Sequence, residues 1–178
     1  MKTRPATSPD PQPDAPAPFD ARGLRDAFGH FATGVAVVTA CAPDGRRLGL
    51  TINSLSSLSL RPALLLWSIA ASSRSHAAFT GQVRHFAVHV LGAHQHELCQ
   101  RFHRVDGDRF EGVDTLENLH GVPLLPGCLA RFECATEQVV AAGDHSIVIG
   151  RILDIAEQPG EPLLFHRGRF GQFRAGGR

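Results

Sequence analysis

The chain has 178 residues, 43% hydrophobic and 20% charged, with a net charge of +1 when histidine is neutral. That length and composition suit one domain with a real core, and the near-neutral charge excludes a broad basic surface for nucleic acid. No apolar run approaches the ~20 residues that a membrane-crossing helix needs, and the N-terminus lacks an apolar signal core, so a cytoplasmic protein is expected.

Residues 1–18 contain six prolines and cannot bury a core, so a disordered tail is expected there. Asp20 reads as an N-cap, and Leu24, Ala27, Phe28 and Phe31 follow at helical spacing, which predicts an amphipathic helix over 21–32 that stops by Gly34. Val35 to Ala40 is a β-branched run and reads as a strand. Ala42-Pro43-Asp44-Gly45 is a hairpin-type turn into a second strand near 46–54. Pro62 opens a third, Ala63 to Ile69, whose lack of charge predicts burial on both faces. A short helix should end near Gly81. Phe86 to Leu91 reads as a strand, and Gln95 to Arg104 as a helix with Leu98 and Phe102 inward. Residues 105–127 read as a long loop. Long strands follow at Cys128–Val140 and Asp144–Ala156, the latter with Ile147, Ile149, Ile152 and Ile155 in its apolar positions. A short last strand spans Pro162–His166. Six or seven strands with few helices and hairpin-type turns predict a mainly β protein, a small barrel. Domain limits of 19–172, with short tails on either side, follow.

Thr51-Ile-Asn-Ser-Leu-Ser-Ser-Leu-Ser-Leu60 carries most of the chemistry. Hydroxyls and an amide alternate with aliphatics at Ile52, Leu55 and Leu58. The mix suits a wall that is apolar behind and hydrogen-bonding in front, as a flat polar heterocycle with a phosphate tail requires. It equally suits a Ser-rich turn whose hydroxyls bond their own backbone. Arg74, between Ser73 and Ser75, is either a phosphate clamp or a solvated loop charge. His145, after Gly143-Asp144, is either a pocket-rim donor or part of a turn. Trp67 belongs to a core or an interface. Among ten histidines, His96, Cys99 and His103 share a helix face. The outer two lie about 10 Å apart along the axis, too far for one metal. None of the four cysteines forms a CxxC, so reduced structural thiols are expected. No GxGxxG fingerprint, P-loop or GxSxG elbow is present.

Five patches occur together: Gly34-Val-Ala-Val-Val-Thr39, Thr51 to Ser59, Phe86-Ala-Val-His-Val-Leu91, Gly143-Asp-His145, and Pro162-Leu-Leu-Phe-His-Arg-Gly-Arg-Phe170. With these, the chain resembles the flavin reductase-like family, the small components of two-component flavin monooxygenases. The resemblance covers about residues 22–172. It implies an FMN-binding split β-barrel with a few short peripheral helices, usually a homodimer. It also implies reduction of FMN or FAD by NADH or NADPH and passage of the reduced flavin to an oxygenase component. On the matching positions it implies that Thr51, Ile52, Asn53, Ser54, Leu55, Ser57 and Ser59 line the flavin. Ser73, Arg74 and Ser75 would hold its phosphate, and His145 and Phe170 would lie on the nicotinamide side, with His145 the catalytic candidate. No metal is implied. Leu55 stands where the family commonly has an aromatic, His89 where Asn is common, and Phe170 where Tyr is common. A flavin carrier or sensor, and a flavoenzyme with tightly held FMN, are the alternative functions.

Overall fold

The computed structural model describes residues 19–104 and 106–174; the expected tail over 1–18 lies outside them. Helix α1 spans Ala21–Phe28, and strands β1 (Thr33–Gly34), β2 (Ala36–Cys41), β3 (Arg47–Ile52), β4 (Ser56–Leu60) and β5 (Ala63–Ala70) follow. Next come α2 (His76–Gly81), β6 (His85–Val90), a 3₁₀ turn at Ala93–Gln95, α3 (His96–His103), β7 (Leu116–Glu117) and β8 (Pro123–Leu124). The chain finishes with β9 (Ala130–Ala142), β10 (His145–Glu157), β11 (Leu163–His166) and β12 (Arg169–Gln172). No helix among the described residues is long and apolar enough to cross a membrane.

Seven strands form one antiparallel sheet in the order β3-β2-β6-β9-β10-β5-β4. Laid flat, its two edge strands would be about 29 Å apart, at ~4.8 Å per strand. Yet β3 ends at Ile52 and β4 begins at Ser56. The three residues between them reach about 10 Å. The sheet must therefore curl until its edges meet, and Asn53-Ser54-Leu55 is the seam of the resulting split barrel. Ser54 fastens that seam: its hydroxyl donates to the Ser68 carbonyl at 3.3 Å and accepts from the Ser68 N–H at 3.0 Å.

The barrel interior holds Val38, Leu48, Ile52, Leu65, Trp67, Ile69, Phe79, Phe86 and Val148. Trp67 packs edge-on against Phe79 and Phe86, with centroids 5.2 and 5.9 Å away, so it is a core residue. A second apolar layer lies outside the barrel, where Val35, Val37, Leu91, Cys99, Phe102, Phe110, Leu125 and Leu163 pack together. Gly49 lets α3 approach β3, because a Cβ there would sit 2.4 Å from the Phe102 ring.

Several expectations are corrected. The strands buried on both faces are β2, sandwiched between the two layers, and β6 beside it. In β5, Leu65, Trp67 and Ile69 are buried while Leu64, Leu66 and Ser68 are half-buried. The buried face of β10 is Ser146, Val148 and Gly150 rather than its isoleucines, and Ile155 is 53% exposed. Ile147 and Ile149 have the opposite parity to that face, and the register shift between Ile152 and Asp154 changes the parity beyond it. Helix α1 is capped by Asp20, whose carboxylate accepts from Gly23 N–H at 2.6 Å. It ends at Gly29, short of the expected 32. In α3, Cys99 and Phe102 are buried and Leu98 is half-buried. Residues 105–127 are more than a loop: β7 pairs with β8. Strand β12 and the small sheet β1-β11-β12 were not anticipated.

Candidate functional site

A cavity of about 420 Å³ opens beside the seam. Val35, Thr51, Ile52 and Asn53 form one wall, Cys99, Gln100 and His103 of α3 a second, and Phe165 and Phe170 of the β11–β12 hairpin a third. The volume is in the range of small-molecule sites, and a mainly apolar lining with a few polar groups is their usual chemistry. The strand pair fixes the aromatic wall: Phe165 and Phe170 are cross-strand partners, so both rings face the same way. Their centroids are 5.4 Å apart, and the His96 ring meets Phe170 edge-to-face at 4.6 Å and 76°.

The hydroxyls of the Ser-rich stretch are largely engaged within the protein. Thr51 Oγ1 donates to the Cys99 carbonyl at 2.7 Å. Ser54 is committed to Ser68, Ser56 donates to the Ser57 carbonyl, and Ser59 accepts from the Arg61 N–H. Among the described residues, the side chains of Asn53 and Ser57 carry no such bond. Leu55 packs against the barrel core rather than lining the cavity. Thus Thr51, Ile52, Asn53 and Phe170 come together, whereas Ser54 and Leu55 close the seam and Ser57 and Ser59 lie on edge strand β4.

The Ser73–Ser75 segment lies at the other end of β3. Ser75 joins Gly49 and Arg109 around a second depression of about 340 Å³. Ser73 Oγ accepts from the Ser75 N–H at 3.3 Å, and the Arg74 guanidinium pairs with Asp106 at 2.9 Å. Arg109 donates to the carbonyls of Gly49 and Arg104. Burial, and then the charge of Arg74, pull its pKa below the usual arginine value. Gly49 lies within β3 and Asn53 just past its end, four residues on, about 13 Å. The cavity and the depression therefore adjoin opposite ends of β3.

His145 lines neither hollow but adjoins the start of the Ser73–Ser75 turn, where the Asp144 carbonyl accepts from the Ala71 N–H at 2.8 Å. It begins β10 opposite Ala70, and its Nδ1 lies 2.7 Å from Asp144 Oδ1. That hydrogen bond holds the Asp144 carboxyl below the ordinary carboxylate pKa. His145 does not line the Thr51–Phe170 cavity of a single chain.

Val35, Cys99, Gln100, His103, Phe165 and Arg109 border these two hollows without having been anticipated. The signal for α3 was present: His96, Cys99 and His103 share one face, and that face is turned to the cavity and to Phe170. No cluster of three or more metal-ligating side chains exists among the described residues. The thiols of Cys99, Cys128 and Cys134 are pushed upward by burial, the last to about 12, as expected of unreactive structural thiols.

Residues 28–174 match the flavin reductase like domain family. The FMN reductase (NADH) SmoA of Agrobacterium fabrum is 48% identical over 158 residues, 89% of each chain. The reductase component of the Acinetobacter baylyi flavin-dependent trigonelline monooxygenase is 44% identical over 149 residues. That alignment takes in 84% of this chain but 48% of the Acinetobacter protein, so the chain spans about half the length of that relative. Among solved structures, the Streptomyces globisporus NADH:FAD oxidoreductase SgcE6, in complex with NAD and FAD fragments, superposes with a TM-score of 0.82 at 36% identity, covering 87% of this chain and 93% of that one.

Proposed function

The chain belongs to the flavin reductase-like family, and from that premise we propose that it is an NADH-dependent flavin reductase supplying reduced flavin to an oxygenase component. The observation that carries this reading is the seam cavity, where Thr51, Ile52 and Asn53 face Phe165 and Phe170 across a space suited to stacked planar rings. Relatives bear it out in kind: an FMN reductase using NADH, and reductase components of monooxygenases acting on trigonelline and 4-nitrophenol.

Flavin supplies the redox chemistry, taking a hydride from the nicotinamide. The protein's part is to bind, orient and exclude water. Ile52 and Val35 give an apolar floor. Asn53 offers its amide, and the backbone N–H groups of the seam offer donors where negative charge grows on the ring. No side-chain nucleophile or general base is needed, which fits a cavity without a triad. Arg74, Ser73 and Ser75, about a flavin's length along β3, hold the phosphate. His145 orients the nicotinamide rather than moving a proton.

A homodimer completes the site in this reading. Phe28 and Phe31 are 71% and 77% exposed, and Leu24 shares the same unburied helix. Phe28 and Phe31 border a concavity that also touches Asn53 and Phe165. A second copy covering this apolar surface would remove it from water and roof the cavity.

The test is steady-state NADH oxidation with free FMN and FAD titrated in turn, and NADPH compared. Turnover saturable in added flavin is expected. Flavin binding without turnover would make the protein a carrier. Yellow colour retained through dialysis would make flavin a resident group.

A further inference from the structure

The proposed reductase reading leaves the His96 side of α3 without a task, and the geometry points to one: we propose that His96 is a positioning residue that holds Phe170 over the cavity. The inference rests on the flavin-reductase reading. Phe170 sits on β12, an outer strand whose four residues are all exposed, and is itself 41% exposed. The hairpin carrying it turns through Arg167 and Gly168, both at positive φ, 49° and 76°, the pairing of a two-residue type I′ turn. Its tip is tied by the Arg167 N–H to the Gly29 carbonyl at 3.0 Å. Among the described residues, the ring contacts of Phe170 are two: Phe165 on the neighbouring strand and His96 on α3.

His96 is a fixed post. The residue before it, Gln95, is buried, accepts from the Gly92 N–H at 3.0 Å and donates to the Pro126 carbonyl at 3.2 Å. One turn later, the Cys99 carbonyl accepts from Thr51. The helix end is thus held to the barrel and to the 126–128 segment, while β12 is an edge. An edge-to-face aromatic contact biases a side chain roughly two- to tenfold toward the contacting rotamer. A site whose competent arrangement is less populated binds its ligand more weakly in proportion. Removing the His96 ring therefore loosens Phe170 and weakens the reductant's site without touching the flavin floor.

A double-mutant cycle tests this, with wild type, His96→Ala, Phe170→Ala, the double variant, and His96→Phe as a ring-restoring control. Steady-state NADH oxidation gives KM and kcat, and fluorescence titration gives flavin affinity. His96→Ala should raise KM for NADH about two- to tenfold, with flavin affinity changed less than KM. The double variant should match Phe170→Ala alone, because His96 acts only through that ring. His96→Phe should recover most of the loss. Additive effects in the double variant, a silent His96→Ala or Phe170→Ala, no recovery in His96→Phe, or joint loss of flavin affinity and thermal stability in His96→Ala would each overturn the proposal. A wild type that oxidises no NADH with added flavin would instead refute the reductase reading, and the inference with it.

Discussion

The Thr51 hydroxyl donates to the Cys99 carbonyl at 2.7 Å, tying edge strand β3 to α3 directly beneath the candidate flavin cavity. That bond spends the one hydroxyl the cavity wall offers on structure. Thr51→Val keeps the shape and deletes the donor. It should cost about 1 kcal/mol of folding stability, the net worth of one such bond. Flavin affinity should stay within about threefold (~0.6 kcal/mol). Urea unfolding and a flavin fluorescence titration read the two effects separately, and a large loss of affinity at unchanged stability would restore the hydroxyl to the ligand.

His89 predicts an acid-labile fold. It is fully buried, and the Leu125 N–H donates to its Nε2 at 3.1 Å. The proton must therefore reside on Nδ1, which donates to the Val37 carbonyl at 3.1 Å. Protonating Nε2 would set a donor against a donor. Burial, with repulsion from Arg131, lowers the pKa to about 4, against the opposing Val37 bond. The unfolded chain has a histidine pKa near ~6.5, so it binds more protons than the folded state between these values. Stability is fully present above about pH 6.5 and falls as pH drops toward 4, by roughly 3 kcal/mol in total. In His89→Asn, the loss between pH 7 and pH 5 should shrink by about 2 kcal/mol relative to wild type in paired urea titrations. Identical pH slopes would remove His89 from the account.

Arg74→Ala tests phosphate binding apart from ring binding. Its guanidinium meets Asp106 at 2.9 Å in an exposed pair, which contributes little stability, and the next residue, Ser75, borders the depression. Arg74→Ala should weaken FMN by ~1.5–3 kcal/mol, the scale of a charged hydrogen bond. Riboflavin, which lacks the phosphate, should bind almost as before. Equal losses for both ligands would show that the phosphate lies elsewhere.

His145 tests the reductant side. His145→Ala should lower kcat/KM for NADH ~10–100-fold, the effect of one orienting contact. Flavin affinity should hold. His145→Asn, which retains a donor, should recover part of the rate. Should the Ala variant lose flavin binding and rate together, the 2.7 Å contact to Asp144 is a turn device and nothing more.

Phe28 and Phe31 test assembly. Light scattering should give a dimer of the 19.2 kDa chain at micromolar concentration. Phe28→Glu should shift it toward monomer and reduce flavin turnover in step, by mass action. A stable monomer with full activity would reject the two-fold arrangement.

Local physics made much of this protein legible from its residues. The β-branched and apolar runs at 35–40, 63–69 and 86–91 became strands because alternating or continuous apolar side chains leave few other ways to leave water. Asp20 capped its helix because a carboxylate meets unpaired N–H groups there. Thr51 to Asn53 and Phe170 were chosen from five short patches in family order, and they do share a cavity. Tertiary structure decided the rest. Only the strand order shows that Asn53-Ser54-Leu55 bridges the two edges of a seven-stranded sheet, and that closure turns Ser54 and Leu55 into seam rather than lining. Hydroxyls at 51, 54 and 59 look alike in a string of letters; which are spent is set by carbonyls and N–H groups up to 48 residues away. The cavity face of α3 stayed hidden because spacing shows that His96, Cys99 and His103 share a side, and not what that side faces. Long-range pairing, with Phe165 and Phe170 brought over α3 from more than 60 positions down the chain, supplies that, and no local propensity encodes it.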